Sequence, residues 1–252
     1  MRALRGLFAL GFWLAGSAMA QAPAKPVYAV LSVIGDKVDV VVPRSLPGEE
    51  QAAVRGAVTV KEGVFDAVAV DAASRAIWAV APKTEIAQLS ARGNAIYQRQ
   101  AEWFAERDGR IRIPQEVLDS TKQQAATHLV LLLKHRAPVV WTSSVAGASQ
   151  RAARFRGLGE GLGFIVDVPA GADGDIVPFA HFQVLVVDLA TQTVIGRNPV
   201  AAAVSVPVEA ASADLAWRSF TAWQKARVME FLIRDQAGQA VQSLFELIAT
   251  PN

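Results

Sequence analysis

Residues 127–135, THLVLLLKH, constrain the fold more than any other stretch of the chain. Their apolar run from Leu129 to Leu133 shows no alternation, the pattern of a strand covered on both faces. The preceding segment, 114–126, opens with Pro114, which suits the first turn of a helix, and carries Val117, Leu118, Thr121 and Ala125 on one side. A helix running directly into a doubly covered strand predicts an α/β (or α+β) fold, with a mixed β-sheet, hairpins and covering helices.

Other segments extend this pattern. Gly35-Asp36 lies between two β-rich runs and predicts a type II′ hairpin joining strands 27–34 and 37–42. Pro, Gly and paired acids make 43–56 a surface loop. Phe65, Val68, Ala72, Ala76 and Val80 recur at helical spacing over 64–80, and 85–90 reads as a short strand. Asn94 is expected to cap a helix over 95–107, with Tyr97, Ala101 and Phe104 on one face and Gly109 as its stop. The stretch 137–161, rich in Ser, Ala, Gly and Arg, reads as irregular. Strands resume at 162–167 and across 179–206, the latter folded at a turn from Asp188 to Thr193. A helical C-terminal part spans 212–249, where Thr221 and Gln224 form a capping box. Val228, Phe231, Leu232, Val241, Leu244, Phe245 and Ile248 are expected on its inner side.

The first twenty residues read as a signal peptide. Arg2 and Arg5 precede an apolar core from Leu7 to Gly16, and Ala18-Met19-Ala20 provides a small-x-small cleavage site. Cleavage after Ala20 would leave an Ala/Pro leader, 21–26, expected to be mobile, ahead of one globular α/β domain over 27–252. Arg2 and Arg5 account for the whole excess of 25 basic over 23 acidic residues, so the processed chain is formally neutral and nucleic acid is not an expected partner. The chain has no cysteine, which excludes a disulfide framework, a thiolate metal site and a lipid-bearing cysteine. No later run is long and apolar enough for a transmembrane helix. A periplasmic location is the expectation.

The most motif-like stretch is RFRGLGEGLGFIVD, 154–167, with glycines at 157, 159, 161 and 163. A dinucleotide fingerprint needs G-x-G-x-x-G opening a helix, yet its third glycine would fall on Leu162 or Phe164, and a strand follows. The alternation suits a bent or bulged start to a strand, where backbones pass close together. IGDKVD (34–39) with GNA (93–95) resembles fragments of binuclear metallophosphatase motifs, but Ala95 stands where a histidine must coordinate. His128 and His135 flank one strand, so no metal or other cofactor is expected. A triad of Ser143 or Ser144 with His181 and Asp167 can be written, although neither serine lies in G-x-S-x-G. From Ser120 to Gly159 there is no acid, while Lys122, Lys134, Arg136, Arg151, Arg154 and Arg156 are all present. Either carboxylates from elsewhere fold beside them, or Arg151, Arg154 and Arg156 meet an anionic ligand.

ATHLVLLL, GLGFIVD and FAHFQVLVVDLATQTVIG together resemble segments of uncharacterised exported proteins of Gram-negative bacteria. More loosely, a helix before a buried strand, followed by LVVDLATQTVIG, is similar to the N-terminal domain of TolB and to curli-secretion lipoproteins. Their hairpins carry a VDxxTG-like turn, where Gln192 here replaces the glycine. The resemblance implies an accessory fold and transfers no activity. The function expected is a non-catalytic envelope protein that binds a partner protein, an anionic lipid or a cell-wall polymer. The alternative is a periplasmic hydrolase using His181 with a nearby aspartate and serine.

Overall fold

The computed structural model describes residues 25–44, 52–60, 63–91, 93–142, 152–168 and 173–249. The expected signal peptide, Ser143, Ser144 and Arg151 lie outside the described residues, as do the side chains of Arg154 and Arg156.

The chain forms an α/β structure around one mixed sheet. In order, β1 is Val27–Val33, β2 Lys37–Arg44 and β3 Ala52–Thr59; α1, Val64–Val80, leads to β4, Glu85–Gln88. Two short helices, α2 (Asn94–Gln98) and α3 (Gln100–Trp103), precede the small β5 (Glu106–Arg107) and β6 (Arg110–Ile111). Helix α4, Gln115–Gln123, runs into β7, His128–Lys134, followed by β8 (Arg136–Thr142), β9 (Ala152–Asp167), β10 (Gly174–Asp188), β11 (Thr193–Ala203) and β12 (Val206–Val208). Helices α5, Ala213–Ser219, and α6, Ala222–Ala249, complete the chain.

The sheet is built on the long β10. One edge of β10 pairs with β11 and β12, both antiparallel. The other edge pairs with β7 and β9 placed end to end, Lys134 opposite Phe182 and Gly161 opposite His181. The next row repeats the arrangement, because β1 lies parallel to β7 and β2 lies parallel to β9. Gly35-Asp36 is therefore not the turn of a hairpin. The chain passes straight on from β1 to β2, and neither strand pairs with the other. Backbone geometry explains why a turn-like dipeptide fits: a β-carbon on Gly35 would lie 3.0 Å from Phe65 Cβ, so the residue is small because α1 crosses it.

Three further expectations are corrected. The stretch 137–161 is ordered in its described parts, since β8 pairs antiparallel with the first half of β9, with an irregularity between Pro138 and Val139. Ala137, Val139 and Trp141 alternate inward along β8, a period-two signal that the Ser/Gly/Arg composition obscured. The helix expected over 95–107 is split at Arg99, and Gly93 rather than Asn94 takes the N-cap position. The loop expected over 43–56 holds the end of β2 and the start of β3.

Both faces of the sheet are covered. Helices α1, α5 and α6 cover one face, packing Phe65, Ala69, Ile77, Met229, Ile233, Val241 and Phe245 over Val30, Phe164, Phe182 and Val184. The second face is divided. Helices α2 to α4 cover Leu31, Leu131 and Leu185 with Ile96, Tyr97 and Val117, while β8 lays Val139 and Trp141 over Val177, Phe179 and Ile165. Leu129 to Leu133 are accordingly buried on both sides, each fully buried leucine contributing about 1.5–3 kcal/mol. The turn after β10 places Gln192 at φ 55°, the left-handed conformation for which glycine is the usual choice.

Candidate functional site

The three glycines described with their surroundings act on backbone geometry. Gly161 has φ 70°. A β-carbon on Gly159 would lie 2.8 Å from Phe179 and 2.9 Å from Val139, and one on Gly163 would lie 2.3 Å from Phe179. This is where β9 leaves the main sheet to pair with β8, so the alternation marks a bend with close approach on both sides of it.

His181 sits beneath that bend and is 1 % exposed. Its Nδ1 lies 3.1 Å from the carbonyl oxygen of Gly159, and its ring packs 5.1 Å from that of Phe179. Burial holds its pKa below the usual value, against opposing backbone bonds to Gly159 and Ala137. Asp167 is not its neighbour. It lies opposite Asp175, six steps along β9 from the partner of His181, or about 20 Å at strand rise. Burial and the Asp175 carboxylate both raise the pKa of Asp167. His181 thus ties the β8–β9 arm to β10, and Asp167 belongs to the far end of the same pair of strands.

The basic run is partly neutralised by folding. Lys134 Nζ makes an ion pair with Asp36, and its side chain is only 8 % exposed. Arg136 lies 3.5 Å from Glu160, the first acid after the run. Of the six cations, these two meet carboxylates that sequence distance concealed.

A different site emerges from topology. Strand β1 pairs with β4 on one side and β7 on the other, all three parallel. The connection from β1 to β4 passes through α1 on one face, whereas that from β4 to β7 passes through α2 to α4 on the other. Such a reversal leaves a crevice beyond the carboxyl ends of the strands, the usual ligand position in α/β sheets. A cavity of about 460 Å³ lies there, with Leu31, Leu89, Ile96 and Val117 as apolar lining and Ser90, Glu116, Ser120, Gln123 and Gln124 supplying polar groups. Glu116, Ser120 and Gln123 or Gln124 recur at helical spacing, so α4 presents them together.

A buried polar bridge crosses the neighbouring strand end. Asp66, 5 % exposed in the first turn of α1, accepts from Ser32 Oγ at 2.6 Å, the Ile34 N–H at 2.8 Å and Tyr97 Oη at 2.8 Å. Burial pushes its pKa up; the hydroxyls of Ser32 and Tyr97 and the backbone N–H groups of Ile34 and Gly35 pull it down. Gln100 completes the bridge, its amide nitrogen donating to Val33 O at 2.8 Å and its oxygen accepting from the Lys134 N–H at 3.0 Å. Tyr97 and Gln100 come from the α2–α3 layer and Asp66 from α1, so their bonds join the two layers around the end of β1. Sequence reasoning missed Asp66, an acid on the apolar face of a helix and the only clue available. Among the described residues, no group of three or more His, Cys, Asp or Glu could hold a metal ion. No family model matches the chain, and no curated protein matches it.

Proposed function

We propose that the protein is an exported, non-catalytic component of the cell envelope that binds a small polar ligand in the crevice beyond the carboxyl ends of β1 and β4. The observation that carries this reading is the cavity at the reversal of connections around β1, polar on the α4 side and apolar at its base. Hydroxyl and amide groups dominate the polar lining, and Glu116 is its one charged group among the described residues. This chemistry suits a neutral or amine-bearing ligand, such as an amino sugar or a short peptide, better than an anion. The signal-like N-terminus supports the envelope assignment. The anionic-ligand reading rests on Arg151, Arg154 and Arg156 and gains nothing from Lys134 and Arg136, which already face carboxylates.

The test is a thermal-shift screen of the processed chain, beginning at Gln21, against neutral oligosaccharides, amino sugars, short peptides and their anionic counterparts. A neutral or amine-bearing class should raise the unfolding temperature, and Glu116→Gln with Gln124→Ala should abolish the rise. Stabilisation confined to anionic compounds, or unaffected by those two substitutions, would refute the reading.

A further inference from the structure

Helix α6 places two aromatic side chains where its packing does not need them. Its inner face is made by Met229, Leu232, Ile233, Ala237, Ala240, Val241, Leu244 and Phe245. Phe231, expected inward from its spacing to Val228, is instead 70 % exposed, and Trp223 is also 70 % exposed. At 3.6 residues per turn, Trp223, Arg227, Phe231 and Arg234 fall within about 80° of arc, with the aromatics about 12 Å apart along the axis. All four residues are exposed.

The charges on this face favour an anionic partner. The Arg227 guanidinium lies 5.8 Å from the Trp223 ring centroid. Arg234 makes no ion pair among the described residues. The acid nearest the arc, Glu230, lies just outside its Trp223 edge, is 3.7 Å from Arg227 and is only 29 % exposed. Asp235, at the margin, is engaged by the amides of Gln236 and Gln239. Lys225 turns away, lying 3.8 Å from the Trp217 ring centroid and donating to Trp217 O. Two large aromatics on the outer side of a helix, with arginines between and beside them, form a ridge rather than a pocket. A ridge of this composition matches the interfacial zone of a bilayer, which deforms around aromatic rings and offers phosphates to arginine.

We infer that the first half of α6 docks on an anionic phospholipid surface through Trp223 and Phe231, with Arg227 and Arg234 contacting the headgroups. This surface is independent of the crevice, so the two can fail separately. The experiment is flotation of the processed chain with vesicles of phosphatidylglycerol and phosphatidylcholine, against vesicles of phosphatidylcholine alone. Binding should require phosphatidylglycerol and weaken as salt rises. Trp223→Ser with Phe231→Ser should lower vesicle affinity about tenfold or more. Arg227→Gln and Arg234→Gln should each lower it about fivefold. Thermal unfolding should be unchanged in the arginine variants, and Glu116→Gln should leave vesicle binding intact. The inference is overturned if the wild-type chain binds neither vesicle, binds both equally, or if both variant sets bind as wild type does. It is also overturned if the chain self-associates through this face, so that the aromatic substitutions abolish a dimer and no lipid binding is seen.

Discussion

Replacing Gly163 with alanine should destabilise the protein by crowding Phe179, and shortening Phe179 should relieve part of that cost. The added β-carbon would lie 2.3 Å from Phe179 Cζ, 2.5 Å from Cε1 and 2.8 Å from the carbonyl oxygen of Asp39. Comfortable carbon–carbon contact is about 3.5–4.0 Å, so the ring must move by more than about 1 Å. It has little room, because it is 1 % exposed, already touches the backbone side of Gly159, and packs on His181. Overpacking of this kind costs about 1–3 kcal/mol, and the second obstacle in the β2 backbone puts Gly163→Ala near about 3 kcal/mol. Phe179→Leu alone should cost roughly 1–2 kcal/mol for the volume lost. The double variant should then be less destabilised than the sum of the two by at least about 1 kcal/mol, the clash with the Asp39 carbonyl remaining. Gly161→Ala provides the control. Its cost, about 1–2 kcal/mol, comes from φ 70° and should add to Phe179→Leu without coupling. Urea unfolding of all five variants measures the terms through the midpoint and slope. Additivity of Gly163→Ala and Phe179→Leu within about 0.5 kcal/mol would show that the glycine is not there to admit the ring.

Tyr97→Phe removes one of the donors to the buried Asp66 carboxylate and should cost about 1–3 kcal/mol in chemical denaturation; no loss would mean that the bridge between the helix layers is idle. Because burial raises the pKa of Asp66, its contribution is fully present below the unfolded value and is lost as pH rises through the folded one; Asp66→Asn should therefore flatten the fall in stability from about pH 4 upward, measured by urea midpoints. His181 behaves oppositely: its lowered pKa makes stability present above the unfolded value, near about 6.5, and lost as pH falls toward the folded value, so His181→Gln should weaken the acid sensitivity that sets in below that pH.

The α/β character was legible because it rests on local chemistry. Leu129 to Leu133 are apolar without alternation, and the structure buries all five between two layers. The capping box at Thr221 and Gln224 was equally local, with the Thr221 N–H donating to the Gln224 side chain at 2.8 Å. Strand pairing was less accessible. Gly35-Asp36 has the composition of a hairpin turn, yet β1 and β2 do not pair with each other; each has one partner about a hundred residues or more away, in β7 and β9, a choice no local rule contains. Phe231 failed for a related reason. Spacing from Val228 puts Phe231 and Leu232 on one helical face, but the core-facing stripe runs through Met229, Leu232 and Ile233 and leaves Phe231 outside it. The crevice was invisible because its walls, β4 and α4, meet only after the connection direction reverses around β1.

The way β1 ends explains how the crevice keeps its shape. A strand that turned into a hairpin would pass its last backbone groups to its own partner. Here the chain goes on toward β2, and side chains satisfy the groups at the break instead. Asp66 takes the Ile34 N–H, while Gln100 takes Val33 O and meets the Lys134 N–H of the adjacent strand. An unpaired buried group in either place would cost about 1–3 kcal/mol, so these side chains have little freedom to move. Tyr97, one residue from the cavity-lining Ile96, is held by the same carboxylate. The β1 side of the crevice is therefore fixed before any ligand arrives, which removes part of the ordering cost of binding. Adaptation must come from the opposite wall, where Gln123 and Gln124 lie exposed at the end of α4. Under the proposed function, substitutions there should change which class of compound raises the unfolding temperature, whereas substitutions at Asp66, Tyr97 or Gln100 should reduce that rise for every class together.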